Sequence, residues 1–321
     1  MISTPSARYA SPVLPSRRCQ WARTIVPVGP PGMMRTFDVL AIAQQFPPLA
    51  DIVEDIADLD ISDGSIARNA SIAVLPGTMP HFVAQYRSPI TSFCVFGDAK
   101  IPHRAFRHVA TTVRTGIVTI SPHGPLGMII ARLKPEAAAC LLGDHIYEFA
   151  DTKIDLDAIF GAGAVTSLAE TLAEARSSHD RIAAVARFLL TNMRARETDP
   201  VVRRVAASLR SDPFLRLRSL AVQLGLSERH LSRRFKAMFG MGPKRFARAA
   251  RVEHVLAACD SETSWARIAC SCGFADQAHM INDFKTIFGI TPSSLFRSPL
   301  IGEDAIAPER DINVSRLGAH D

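Results

Sequence analysis

The sequence has no apolar run approaching the roughly 20 residues that a membrane-spanning helix requires. It also lacks the short motifs of several enzyme classes: the G-x-S-x-G of hydrolases, the phosphate-binding P-loop and the Gly-rich dinucleotide fingerprint. Hydrophobic residues make up 47% and charged residues 21% of the 321 residues, which is ordinary for a soluble globular protein. We therefore predict a soluble protein without enzymatic activity, and the length favours two domains.

Cysteine and histidine are scattered, so neither predicts a metal site. No H-x-H or H-E-x-x-H motif occurs, as a cupin metalloenzyme would need, although the first half contains His81, His103, His108 and His123. A DNA-repair alkyltransferase is another enzyme class to consider for the N-terminal part, and it would require an activated cysteine thiol. Neither Cys94 nor Cys140 has neighbouring residues in a pattern that suggests activation. We expect no metal, no cofactor, reduced cysteines and a cytoplasmic location.

The net charge of +6 is unevenly distributed along the chain. Asp199–Arg297 contains 16 Lys and Arg residues against 8 Asp and Glu residues, which gives +8. The remainder contains 21 basic and 23 acidic residues, which gives −2. Positive charge concentrated in one segment is what binding to a phosphate backbone requires, so double-stranded DNA is the predicted partner.

The same basic segment contains one pattern twice. Leu220–Pro243 (LAVQLGLSERHLSRRFKAMFGMGP) is repeated by Ile268–Pro292 (IACSCGFADQAHMINDFKTIFGITP). Each copy predicts a short helix that ends at a glycine, Gly225 or Gly273, followed by a longer helix. The expected caps and exits are repeated as well: Ser227 and Asp276, Gly240 and Gly289, Pro243 and Pro292. This is the layout of a helix-turn-helix, whose second helix enters the DNA major groove.

The second helix of each copy has two different faces when residues are placed about 100° apart. The predicted inward positions are apolar: Leu231, Phe235, Met238 and Phe239 in the first copy, and Met280, Phe284, Ile287 and Phe288 in the second. The predicted outward positions are Arg229, Ser232, Arg233 and Lys236, and Ala278, Ile281, Asn282 and Lys285. Because Arg pairs with guanine, Asn with adenine and small apolar groups with the thymine methyl, these outward faces suit the reading of base edges.

The segment from about Pro200 to Arg297 resembles the DNA-binding domain of AraC/XylS-type transcription regulators, most clearly in LAVQLGLSERHLSRRFK and in the second copy. Pro243–Cys259 is similar to the long helix that joins the two units rigidly in this family. The resemblance implies base contacts from Arg229, Ser232, Arg233, Ala278, His279 and Asn282, and Lys236, Gln277 and Lys285 complete the predicted DNA-binding set. Asn282 stands where the family often has Arg.

The resemblance implies a sequence-specific DNA-binding transcription factor that inserts two recognition helices into successive major-groove segments. RNA polymerase and an unidentified small-molecule effector are further candidate partners, and the protein could be a monomer or a homodimer. The alternative from another class is a non-catalytic cupin-like ligand-binding or interaction protein whose helical domain mediates protein contacts.

The N-terminal half has a different sequence pattern, with short runs typical of β-strands such as SIAVLP, HFVAQY, FCVFG, GIVTIS and GMIIARL. These runs favour an antiparallel sandwich or barrel, followed by helices that begin at PEAAACLL and continue over Val165–Ala175 and His179–Arg196. The region also resembles, less specifically, the cupin-like sensor domain found ahead of AraC-type domains. The predicted fold is thus α+β with two domains: a β-rich cupin-like domain followed by helices, and an all-α double helix-turn-helix domain.

The predicted domains are a sensing or dimerisation domain over residues 36–196 and a DNA-binding domain over 197–297. Residues 1–35 contain five arginines, several prolines and no acidic residue, so we expect a disordered extension, with a transit peptide as the alternative. Met33 or Met34 could then be the true first residue. Residues 298–321 have little periodicity and are predicted to form a flexible tail. The stretch Phe37–Asp60 is ambiguous between helix and strand.

Overall fold

The computed structural model describes residues 25–28, 34–37, 45–103, 108–111, 115–142, 153–193, 198–259 and 263–297. It has a β-rich N-terminal region with helices and a helical C-terminal region, which confirms the predicted fold class. Among these residues, no helix combines the length and the apolar character needed to cross a membrane. The predicted tail over 298–321 lies outside the described residues.

The described part of the N-terminal region contains eleven strands in two antiparallel sheets. The strands are β1 (Ile25–Val28), β2 (Met34–Phe37), β3 (Val53–Ile61), β4 (Ser71–Val74), β5 (His81–Gln85), β6 (Ile90–Phe96), β7 (Ala99–His103), β8 (His108–Thr111), β9 (Ile117–Pro122), β10 (Leu126–Leu133) and β11 (Lys153–Asp155). One sheet has the order β1-β4-β9-β6-β7 and the other the order β11-β8-β5-β10-β3-β2. The order agrees with the predicted antiparallel sandwich or barrel.

Helices flank these sheets and make up the C-terminal region. They are α1 (Leu49–Ile52), α2 (Gly64–Asn69), α3 (Pro135–Leu142), α4 (Leu156–Phe160), α5 (Ala162–Glu174), α6 (Ser178–Asn192), α7 (Pro200–Ser211), α8 (Leu217–Gln223), α9 (Glu228–Phe239), α10 (Pro243–Ala258), α11 (Trp265–Ser271), α12 (Gln277–Phe288) and α13 (Pro292–Phe296). The three helices predicted after the strands correspond to α3, α5 and α6 within a few residues.

The alternation of side chains along the strands creates two apolar layers. On one face of the six-stranded sheet, Leu59 and Met128 pack with Ile72 and Val118 of the five-stranded sheet, so a core lies between the sheets. The opposite face of the six-stranded sheet packs against α3, α5 and α6 in a second core. This sheet is therefore buried on both faces.

The N-terminal part of the chain departs from the sequence-based expectations at two places. Strands β1 and β2 lie in or overlap the predicted disordered extension, because their backbones pair with β4 and β3, so regular structure starts earlier than predicted. The ambiguous stretch Phe37–Asp60 contains both a helical turn, α1, and the start of β3. Residues 1–24 lie outside the described part of the chain.

The C-terminal helices enclose a third core that the outer face of the five-stranded sheet completes. Ala73, Leu75 and Ile117 join this core, as does Ala139 of α3. Buried side chains of α6 belong to the second core, and buried side chains of α7 belong to the third. The predicted domain boundary at residue 196 lies between these two helices, among residues 194–197, which the structure does not describe.

Polar and backbone contacts also join the two regions. Thr78, fully buried, donates its N–H to Glu253 of α10 at 2.6 Å and its hydroxyl to the same carboxylate at 2.8 Å. The N–H of Gly116 donates to the carbonyl of Ile287, near the end of α12, at 2.7 Å. The N-terminal region is therefore bound both to the linker helix and to the second helix-turn-helix unit.

Candidate DNA-binding surface

The first repeat folds as α8, a tight turn and α9. Gly225 allows the turn because its φ of 66° is unfavourable for residues with a Cβ. Ser227 then caps α9 by accepting the N–H of His230 at 3.1 Å. Gly240, with φ of 71°, ends α9 in the left-handed conformation, and Pro243 begins α10.

The second repeat has the same backbone design. The N–H of Phe274 donates to Ala269 at 2.9 Å across its turn, as that of Leu226 donates to Ala221 at 2.9 Å in the first repeat. Asp276 caps α12 by accepting the N–H of His279 at 2.7 Å. The glycines and the proline behave as in the first copy, so the duplicated sequence predicts duplicated structure correctly.

The apolar faces of α9 and α12 are buried as the helical periodicity predicts. All eight predicted inward side chains lie in the third core: Leu231, Phe235, Met238, Phe239, Met280, Phe284, Ile287 and Phe288. The core places both helices against α10, the long helix between the two units, because α10 contributes Phe246, Val252 and Val255 to it. Burial of one face fixes which residues the other face presents.

The outward face of α9 is basic and open. Arg229, Arg233 and Lys236 are exposed, and Ser232 is half-buried. The Arg233 guanidinium lies 3.4 Å from the Nδ1 atom of His230, one turn earlier, which restricts its position. Within the described part of the chain, neither Arg229 nor Lys236 forms an ion pair, so their charges are not neutralised there.

The outward face of α12 is more polar and less basic. Gln277, Ala278, Asn282 and Lys285 are exposed. His279 differs from the other predicted contacts because it is half-buried and packs edge-on against Phe274, with ring centroids 5.3 Å apart. Its imidazole therefore lies at the margin of the exposed face.

An ion pair joins α9, the first proposed recognition helix, to the start of α7. Arg234 of α9 donates two hydrogen bonds to Asp199, at 2.6 and 2.7 Å, and Asp199 also caps α7. Partial burial works to raise the pKa of Asp199, but the Arg234 guanidinium and two backbone N–H groups lower it below its usual value. Sequence reasoning missed this pair because the partners are 35 residues apart.

A second ion cluster joins α12 to α10. Asp283 is only 5% exposed and accepts hydrogen bonds from Nε of Arg248 at 3.0 Å and Nε of Arg251 at 2.6 Å. The residue next to Asn282 thus points into the domain rather than towards solvent. The helical pattern alone could not identify its partners, because they lie on another helix.

A basic groove of about 440 Å³ lies beside this cluster, and its apolar lining residues include Phe214 and Ala247. Its charged lining residues are Arg216, Arg218, Glu228, Lys244, Arg248 and Arg251. Arg218 lies in the first turn of α8, and Arg216 is the residue before that helix. Among the described residues, no three His, Cys, Asp or Glu side chains are grouped so that they could hold a metal ion.

Comparison with known proteins assigns the C-terminal part of the chain. Residues 220–298 match the family model described as a helix-turn-helix domain, which covers both repeats and the helix between them. No curated protein is similar enough in sequence to match the chain.

Several solved structures are similar to parts of the chain. ToxT from Vibrio cholerae is 10% identical, with 75% of this chain and 96% of that chain covered and a TM-score of 0.40. The C-terminal domain of AraT, a response regulator from Geobacillus stearothermophilus, is 24% identical, covering 38% and 100% with a TM-score of 0.31. The AraC-like transcriptional activator CuxR is 12% identical, covering 68% and 82% with a TM-score of 0.30. TM-scores this low establish no shared function.

Proposed function

We propose that this chain, whose residues 220–298 match a helix-turn-helix domain model, is a DNA-binding transcription regulator of the AraC/XylS type that reads DNA with both units at once. In this proposal, α9 and α12 enter successive major-groove segments on one face of the duplex, about one helical turn apart. One observation carries the proposal: six of the eight outward side chains are exposed, with Ser232 and Ile281 half-buried, while both inward faces are buried in one common core.

The side chains on each face suit different parts of the duplex. Arg229 and Arg233 lie one turn apart on α9, so their guanidinium groups can address neighbouring guanines. On α12, Asn282 suits adenine and the Ala278 methyl suits thymine. Lys236, Gln277 and Lys285 are also exposed and suit sugar and phosphate contacts. The half-buried Ser232 lies beside the two arginines as a further proposed base contact. His279 takes a marginal position in this surface because its ring packs against Phe274.

The N-terminal region over residues 36–196 serves, in this proposal, as a sensing or dimerising domain attached to the DNA-binding domain over 197–297. Its sandwich of antiparallel sheets and its direct contacts with α10 and α12 support a regulatory role. The proposed protein acts in the cytoplasm without catalysis, and an effector and RNA polymerase are its further proposed partners.

The test compares base contact with phosphate contact. Genomic footprinting with the purified protein supplies its bound sites, and each variant is then titrated with a bound site and a scrambled duplex at one salt concentration. Arg233→Ala should weaken the bound site by roughly 5- to 150-fold, since a bidentate base contact contributes about 1–3 kcal/mol of discrimination. It should weaken the scrambled duplex much less.

Arg216→Ala is the matched control, because Arg216 is exposed and precedes α8 rather than lying on a recognition helix. This variant should weaken both duplexes alike and reduce the salt dependence by about one phosphate. If Arg233→Ala weakens binding to both duplexes by the same factor, Arg233 contacts phosphate rather than a base. If the wild-type protein prefers no sequence, the sequence-specific function is refuted.

A further inference from the structure

The buried carboxylate of Asp283 lies at a junction of both helix-turn-helix units. It is on α12, directly after Asn282 of the proposed base-reading face, and it binds Arg248 and Arg251 of α10. Both bonds use the Nε atoms, and the Asp283 side chain is only 7% exposed. A charge buried to this degree requires its partners, so α12 is bound to α10 in one orientation.

Arg251 extends the cluster to the start of the first unit. Its Nη1 atom donates to the carbonyl of Pro213 at 3.0 Å, and its guanidinium lies 5.1 Å from the centre of the Phe214 ring. These two residues precede α8, the first helix of the first unit. One arginine thus contacts the second recognition helix and the entrance to the first unit at the same time.

Phe214 completes the junction from the other side. Its ring meets Phe274 edge-on, with ring centroids 5.1 Å apart, and a Cβ on Gly273 would be 3.3 Å from it. Gly273 and Phe274 form the turn of the second helix-turn-helix unit. The segment ahead of the first unit therefore packs against the turn of the second, with Arg251 and Asp283 beside the contact.

We propose that the cluster of Phe214, Arg248, Arg251 and Asp283, here called the spacer cluster, sets the separation and rotational phase of the two recognition helices. It thereby determines which spacing of two DNA half-sites the protein accepts. The inference rests on the proposed function, in which both helices enter the DNA together. One added base pair moves a half-site by about 3.4 Å and rotates it by about 35°, so a rigid pair of helices cannot follow it.

The experiment uses the full chain and a bound site in which one or two base pairs are inserted or removed between the two contacted segments. Wild-type protein should lose about tenfold or more in affinity for each base pair of altered spacing, comparable to the loss of a base contact. Asp283→Asn keeps the side-chain shape but replaces one acceptor oxygen with a donor. It should bind the original spacing more weakly and reduce the preference between spacings to less than about threefold.

Asp199→Asn is the matched control. Asp199 also forms a two-bond pair with an arginine, but that pair joins the start of α7 to α9 of the first unit and includes no residue of the second unit. This variant should keep the wild-type ratio of affinities between spacings, whatever its effect on stability. Should Asp283→Asn fail to fold, Arg248→Ala replaces it in the same comparison, because the Arg248 side chain is 41% exposed.

The outcomes separate the two hypotheses. If wild-type protein depends on spacing and the spacer-cluster variant keeps the same dependence, the inference is overturned while the proposed function stands. If wild-type protein binds all spacings equally, the two helices do not engage DNA together, and the proposed function itself fails. A flattened dependence in the spacer-cluster variant alone supports the inference.

Discussion

Replacing Glu253 with alanine should separate the two regions of the protein. The fully buried Thr78 donates its N–H at 2.6 Å and its hydroxyl at 2.8 Å to this one carboxylate. Hydrogen bonds to charged groups contribute about 1.5–3 kcal/mol each, and a buried donor left without an acceptor costs a similar amount. Because Glu253 is itself half-buried, we take the lower end for both bonds and expect a loss of about 2–4 kcal/mol.

The measurement is urea unfolding of the full chain with two probes. Fluorescence of Trp265, measured with Trp21 replaced by phenylalanine in the wild-type chain and in every variant, reports the DNA-binding region because Trp265 packs against Phe296, and far-UV circular dichroism reports the whole chain. For the wild-type protein the two transitions should coincide, because the regions share a core. In Glu253→Ala they should separate, with the overall transition shifted to lower urea concentration.

Two variants calibrate this result. Glu253→Gln keeps an acceptor for the Thr78 N–H and should lose less than Glu253→Ala. Thr78→Val removes only the hydroxyl, so it should cost about 1 kcal/mol, the contribution of a single hydrogen bond. If Glu253→Ala unfolds within about 0.5 kcal/mol of the wild-type protein, with coincident transitions, the contact does not hold the regions together.

Three other predictions concern charge. The logarithm of the DNA-binding constant should fall linearly with the logarithm of salt concentration, by about 0.9 for each phosphate contacted, and a slope near zero would contradict DNA binding. Arg234→Ala should lower the free energy of unfolding by about 1 kcal/mol. Arg234→Lys should recover less than half of this loss, because lysine cannot form the two-bond geometry with Asp199. If Arg234→Ala and the wild-type protein are equally stable, solvent screens the ion pair. Burial raises the pKa of Asp55 from 3.8 to about 6, although the bound Arg132 guanidinium opposes this. Between these pH values the folded protein binds the extra proton, so stability should fall as pH rises, by at most about 1.4 kcal/mol per pH unit. Asp55→Asn should lack this component in unfolding titrations at pH 4 to 6.

Local patterns account for the parts of the fold that the sequence predicts. The positions of Gly225, Ser227 and Gly240 depend on backbone conformation and capping, which involve residues a few places apart, so both recognition helices are found at their predicted bounds. The same holds for β10, whose apolar run GMIIARL is buried along its length. The strand β7 was missed because Lys100 and Pro102 have low strand propensity, and its place at the edge of the sheet tolerates them.

Long-range contacts account for what the sequence could not predict. Asp283 looks like a charge on a recognition helix until α10 is placed beside it. Thr78 and Glu253 lie 175 residues apart, and no local pattern links a loop after β4 to the middle of α10. Such pairs depend on how whole elements pack.

The contact between Gly97 and Gly289 bears on how such a protein could be recombined. A Cβ at Gly289 would overlap the backbone of Gly97, so the β6–β7 turn and the end of α12 have to suit each other at the level of main-chain atoms. A chimera that takes its N-terminal half from another regulator therefore contains a β6–β7 turn that evolved in contact with a different helix end. Donors with a glycine and a turn of the same length at this point are the ones whose N-terminal region should still pack against α12 after the exchange.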